Sequence, residues 1–197
     1  MRPITKYLWV AVAGVALGLI ALYAMGDRHP VWQSDTGQQV LQKGFEVTAP
    51  TPPADLQVAS VGKTIPSLTL NDFNGGKQSL ADVAGGKPML INFWASWCGP
   101  CIKEIPELVD FSTSQSDILV VGIALDEPDA AKTFIDRFKM EYPQLWDEIG
   151  PRDSSVALGN PAGALPYSVL IDKDGVLRKQ KIGPFAHGEI ATWVTRQ

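Results

Sequence analysis

Cysteine and histidine are almost missing from this chain of 197 residues, which has two of each. Two cysteines are too few for the disulfide framework of a small secreted fold. With His29 and His187 both distant from them in sequence, they do not make a zinc site of the usual type either. Charge is sparse. A net charge of −4 without a basic tract argues against nucleic acid as a partner. Repeats and low-complexity tracts are absent. The apolar fraction of 45% is that of a packed globular core, and the length suits one domain with an addition.

The two cysteines that are present stand together in Trp97-Cys98-Gly99-Pro100-Cys101. Thiols at this spacing can close a small disulfide and reopen it, provided one is reactive and the other resolves the mixed disulfide. Ile102 stands where c-type haem attachment requires histidine, so haem is not carried that way. A structural disulfide, or two buried neighbours, is the alternative for an isolated pair, and the flanks decide against it. Met89 to Trp94 has the apolarity of a strand buried on both faces. Beyond the pair, Cys101, Ile105, Leu108 and Ser112 recur at helical spacing, with Val109 flanking. Cys98 therefore falls at a helix N-terminus, where unpaired N–H groups and the helix dipole favour a thiolate. Pro100 is tolerated in the first turn, whereas Pro106 removes a bond to the Ile102 carbonyl and is expected to kink the helix.

The one long hydrophobic run lies at the start. Tyr7 to Met25 is 19 residues without a charge. As a helix it would reach roughly 28 Å, near the thickness of a bilayer's hydrocarbon core. Arg2 and Lys6 precede it, and Trp9 and Tyr23 lie near its ends. The positive-inside bias then predicts a cytoplasmic N-terminus and an extracytoplasmic remainder. Ala24-Met25-Gly26 offers a small-x-small cleavage site, but the run exceeds the roughly 7–15 residues of a signal core. Residues 1–26 are therefore expected to be an uncleaved, single-pass anchor. Residues 27–59, with Pro50, Pro52 and Pro53, read as a partly extended linker. In it Val40, Leu41, Phe45 and Val47 are available to pack a short element. The domain proper spans 60–197.

Within that domain, Ile65 to Leu70 alternates, Asn74-Gly75-Gly76 turns and Gln78 to Leu80 returns, which predicts a β-hairpin. Leu80 to Val83 gives one helical turn. Ile118 to Leu125 is a buried-type strand, and Pro128 opens a helix with Ala131, Phe134, Ile135 and Phe138 on one face. Such a strand–helix–strand link implies a parallel pair with a right-handed crossover. Trp146 and its neighbours read as a connection, and Ser154 to Leu158 as a further turn of helix. Tyr167 to Asp172 and Val176 to Ile182 flank Lys173-Asp174-Gly175, a hairpin signal. A last helix, Ala186 to Val194, is expected to bury Ile190 and Val194.

Phe93 to Cys101 resembles the active-site segment of the thioredoxin superfamily. The extension to Glu104 and Pro106, C-x-x-C-x-x-E-x-P, resembles the TlpA/ResA/CcmG group of membrane-anchored, extracytoplasmic thiol–disulfide oxidoreductases. Val61-Gly62-Lys63-Thr64-Ile65-Pro66 and the stretch Gly163 to Asp172 are similar to that group as well, and the likeness covers roughly residues 60–195. It implies a thioredoxin-like α/β fold: a central mixed sheet with helices on both faces and an N-terminal β-hairpin extension, preceded by one transmembrane helix. It implies that Leu165-Pro166 is a cis-proline loop facing the dithiol, where the backbone of residue 165 can bond an extended substrate segment. Trp97 would be a platform beside Cys98. Glu104 would lie near the buried Cys101 and take its proton. Asn92 departs from thioredoxins proper, which carry an aspartate there, and shifts that proton chemistry onto Glu104 or a water. No metal and no cofactor beyond the Cys98–Cys101 disulfide is implied. The implied partners are protein disulfides, with the C-x-x-C-H pair of apocytochrome c as the commonest substrate, and a membrane electron donor of the DsbD/CcdA type. The implied location is the cytoplasmic membrane with the catalytic domain in the periplasm or its equivalent. Gly99-Pro100 matches the dipeptide of reducing thioredoxins.

Two other classes share parts of this pattern. A peroxiredoxin needs proline, and threonine or serine, seven and three residues before its reactive cysteine, where this chain has Ile91 and Ala95. A non-catalytic thioredoxin-like scaffold or thiol chaperone would not need both cysteines, and both are intact.

Overall fold

The computed structural model describes residues 35–195. The run Tyr7–Met25 and His29 lie outside them, and among the described residues no helix is long and apolar enough to cross a membrane. The chain separates after Val40 into two compact units. Part of the segment expected to be extended is a helix, α1 (Asp35–Thr48). It contains no proline, and Pro50, Pro52 and Pro53 follow it, where a helix cannot continue.

The chain then runs along what becomes one end of a sheet. Ala59 N–H donates to the Ala157 carbonyl, Gly62 N–H to Leu177 and Ile65 N–H to Gly175. The expected hairpin follows as β1 (Thr69–Asp72) and β2 (Lys77–Ser79). Asp72 Oδ1 accepts from the N–H groups of Asn74 and Gly76, both at 2.8 Å, and so fixes the turn. Ser79 caps the short α2 (Leu80–Ala84), which ends on Gly85 at φ 53°.

β3 (Met89–Trp94) is buried at every position and lies inside the sheet, between β4 and β6. The helix after it, α3 (Gly99–Ser114), runs as one element through Pro106. β4 (Leu119–Leu125), α4 (Pro128–Phe138) and β5 (Gln144–Asp147) come next. The region around Trp146, expected to be a connection, is thus a strand. Four residues with one buried apolar side chain, Leu145, are too few to show alternation, and the pairing of β5 between β4 and β1 decides its conformation. After α5 (Ser154–Ala157), β6 (Tyr167–Ile171) and β7 (Leu177–Ile182) form the second expected hairpin, and α6 (Glu189–Thr195) ends the described chain. α6 buries Ile190 and Trp193, not Val194, which is only partly covered. The helix also begins later than expected, at Glu189, and Trp193 takes the inward position, its ring edge-on to Phe185 at 5.3 Å.

The sheet has seven strands in the order β2-β1-β5-β4-β3-β6-β7. β3, β4 and β5 are mutually parallel, and the other pairings are antiparallel. Alternation along the strands makes two apolar layers. Leu90, Trp94, Val120, Ala124 and Leu170 face α3, α4 and α6, while Ile91, Phe93, Ile123, Val169 and Ile171 face the other way, onto Leu80 of α2 and Leu158. The fold is therefore the thioredoxin-like α/β type, with helices on both faces of a mixed sheet.

Candidate active site

β3 delivers the dithiol. After Trp94, the backbone turns through Ala95, Ser96 and Trp97, and Cys98 N–H donates to the Ala95 carbonyl at 3.1 Å. Asp126, just past the end of the neighbouring β4, accepts from Ser96 N–H at 2.6 Å and ties this turn to the sheet. Cys98 is the N-cap of α3 in an extended conformation, and its Sγ accepts from Cys101 N–H at 3.3 Å. The two cysteines are joined as a disulfide. Cys98 retains 5% exposure and Cys101 none, so only the first cysteine reaches the surface at all. Trp97 beside it is 63% exposed.

One turn beyond Cys101 on the buried face of α3 is Glu104, wholly enclosed. Its Oε1 accepts from Asn92 Nδ2 at 2.8 Å, and its Oε2 accepts from Phe185 N–H at 2.8 Å. Asn92 Nδ2 also donates to Ser168 Oγ at 3.0 Å, while Asn92 Oδ1 has no hydrogen-bond partner among the described residues. Burial pushes the Glu104 carboxyl up to about 7; the Phe185 N–H, Asn92 and the Lys181 ammonium oppose this, and the Glu189 carboxylate adds to it. A carboxyl with this value exchanges a proton near neutral pH, one helical turn from the enclosed sulfur.

The approach from the other side is made by the segment before β6. The Leu165–Pro166 peptide bond is cis. Leu165 packs against the apolar cluster that contains both cysteines, and the Pro166 carbonyl accepts from Gly183 N–H at 2.9 Å. Asn160, 1% exposed, accepts from Ala164 N–H and donates to the Ala164 carbonyl, both at 3.0 Å, and so clamps the residue ahead of Leu165.

Cys98, Cys101, Glu104 and Asn92 thus lie in one cluster between β3 and α3, with Trp97 exposed at its edge and Leu165 packed on its flank. Sequence reasoning did not reach Asp126, Asn160, the Phe185 N–H or Lys181. Asp126 and Asn160 are common turn-type residues with no distinctive spacing. A backbone donor has no sequence signal at all.

Residues 61–180 match the model of the AhpC/TSA family. The thiol–disulfide oxidoreductase ResA of Bacillus thuringiensis (strain Al Hakam) is 32% identical over 133 residues, which are 66% of this chain and 74% of that protein. ResA of Geobacillus thermodenitrificans (strain NG80-2) is 33% identical over 135 residues, with the same coverage of 66% and 74%. Among solved structures, a thiol–disulfide oxidoreductase from Bacteroides fragilis NCTC 9343 superposes with a TM-score of 0.54 at 26% identity, covering 61% of this chain and 90% of that one. With relatives of this kind, and with a closed C-x-x-C disulfide at the mouth of a thioredoxin-like sheet, the chain belongs to the AhpC/TSA family and is a thiol–disulfide oxidoreductase of the ResA type.

Proposed function

We propose that this oxidoreductase is a reductase of protein disulfides, tethered to the cytoplasmic membrane with its catalytic domain outside the cytoplasm. The observation that carries the reading is the unequal pair of sulfurs with a carboxyl behind them. Cys98 is the cysteine with residual exposure, Cys101 is fully enclosed, and Glu104 is enclosed one turn further on. In the reduced enzyme the Cys98 thiolate attacks one sulfur of the partner's disulfide. A Cys98–partner bond forms, the partner's own S–S bond breaks, and the freed partner sulfur takes up a proton. Cys101 then passes its proton to Glu104 and attacks Cys98 Sγ. The Cys98–Cys101 bond forms, the mixed disulfide breaks, and the second partner sulfur leaves. Two electrons have moved to the partner, and a membrane dithiol donor of the DsbD/CcdA type must return them. Trp97 and the Leu165–Pro166 segment flank the substrate as it docks in extended form. Apocytochrome c, with its C-x-x-C-H pair, is the substrate this reading favours. The apolar run Tyr7–Met25 behind Arg2 and Lys6 supports the tether.

A peroxidase reading lacks its chemistry. Ile91, enclosed within β3, stands in place of the proline, and Ala95 is a buried methyl where the hydroxyl is required.

The test is a Cys101→Ser trap in intact cells. Mixed disulfides through Cys98 are expected, resolved by dithiothreitol and absent from the Cys98→Ser/Cys101→Ser control. Capture of no partner would favour a scaffold. A reduction potential near the about −120 mV of a dedicated oxidant, in place of a value near about −270 mV, would sink the reductase direction.

A further inference from the structure

The reaction makes no use of a charged pair behind the site, in which the cation is enclosed and the carboxylate partly covered. Lys181 on β7 has a side chain 1% exposed, and its Nζ donates to Glu189 Oε1 of α6 at 2.9 Å. It reaches this position through an irregularity in β7. Leu177 pairs with Ile171, but Lys179 pairs with Leu170, so Arg178 is an extra residue. An extra residue exchanges the faces of everything after it. Lys179 and Lys181 thereby turn onto the layer beneath α6, and Lys181 stands opposite Ser168, which stands opposite Asn92.

The pair is joined to Glu104 through the turn between β7 and α6. Glu189 Oε2 accepts from Ala186 N–H at 2.7 Å, and the adjacent Phe185 N–H is the one that donates to Glu104. The Lys181 ammonium also lies 5.3 Å from the centre of the Phe185 ring. One residue is thus held on three sides, and its N–H meets the carboxyl behind Cys101. We propose that Lys181 and Glu189 are positioning residues for the dithiol chemistry: a largely covered ion pair that presents Phe185 to Glu104 and balances the charge this carboxyl meets. The inference rests on the reading of Glu104 as the proton acceptor for Cys101.

Of the other groups on the elements around Glu104, Lys179, on the same face of β7, donates to the Trp193 carbonyl at 2.6 Å. Asn92 on β3 cannot titrate, and Tyr142, ahead of β5, is held in its neutral form by burial. The Cys98–Cys101 disulfide shares its helix. Glu107, further along α3, faces outward and takes the Gly188 N–H and the His187 ring. The two charges closest in effect are therefore Lys181 and Glu189, and they act with opposite sign.

Opposite sign makes the test decisive. In the oxidised full-length protein, the Glu104 carboxyl is followed through pH by carbon-13 NMR, its resonance assigned by loss in Glu104→Gln. Lys181→Met leaves the Glu189 charge unbalanced and is expected to raise the midpoint by about one pH unit. Glu189→Gln leaves the ammonium unbalanced and should lower it by a similar amount. The double variant should return close to the parent. Residues that only fill space would leave both midpoints in place, which overturns the proposal; a rise in both variants would mean that loss of the Phe185 N–H outweighs the two charges, and it overturns the charge balance. Should Lys181→Met fail to fold, Glu189→Gln alone suffices, since lost packing gives no fall in the midpoint. The pH profile of the resolution step, measured by rapid mixing, separates the two readings. If it follows the shifted midpoints, both stand. If the midpoints shift and the profile does not, the role of Glu104 fails and the electrostatic link remains.

Discussion

Glu104 pulls stability and chemistry in opposite directions. Its folded state favours the protonated form, with the value raised from 4.5 to about 7 by burial. Between those two pH values the folded protein binds more protons than the unfolded chain, so stability is greatest below about 4.5 and falls as pH rises through about 7. The difference corresponds to about 3 kcal/mol from this one group. Glu104→Gln should remove that slope: urea midpoints of the parent fall between pH 4.5 and 8, and those of the variant change less over the same range. Equal slopes would show that the carboxyl is not the group responsible. On the role proposed for Glu104, the same substitution should slow the resolution step and leave the initial attack by Cys98 unchanged. The residues of this cluster were legible in the sequence to different degrees. The cysteines, Glu104 and Asn92 stand in a contiguous strand–turn–helix pattern that spacing can read. Lys181 and the Phe185 N–H meet them only through the sheet and a turn some eighty residues later, and no local pattern records that meeting.

At the scale of elements, the helices and long strands follow from periodicity, and the discrepancies are where pairing overrides it. β5 is short, and its residues become strand because β4 and β1 offer edges on both sides. The face change in β7 comes from one unpaired residue, Arg178; reading alternation straight on from Leu177 would put Lys181 on the wrong side. Close packing between strands gives a direct test. Gly122 of β4 lies opposite Gln144 of β5, and a Cβ built there would come within 2.1 Å of Gln144 Oε1, the acceptor of the Trp94 indole N–H. Gly122→Ala should displace that side chain and cost about 1 kcal/mol, the worth of one hydrogen bond. In combination with Gln144→Ala the two losses should be less than additive, because the second substitution removes what the first collides with. Additive losses in a chemical-denaturation cycle would mean that the glycine matters for another reason.

For the molecule as a whole, the two apolar layers meet at β3, which is buried at all six positions and paired on both edges. Its amides should therefore exchange with solvent only through global opening, while those of the 183–188 turn exchange through local fluctuations. Native-state hydrogen exchange checks this, and faster exchange in β3 than in the surface turns would contradict it. On that expectation the dithiol is mounted on the part of the protein that opens last, and the turn that contacts Glu104 opens sooner. The stitching of Ala59, Gly62 and Ile65 to Ala157, Leu177 and Gly175 has a mechanical side. Leu177 pairs with Ile171, and Ile171 with Met89, the end of β3 opposite to the one that leads into the cysteines. A pull applied through the preceding chain is therefore taken up at the far end of the sheet. The backbone bonds of Gly62 and Ile65 to Leu177 and Gly175 lie at that end and bear the load first, while the end of β3 that leads into Cys98 stands a full strand length away from it.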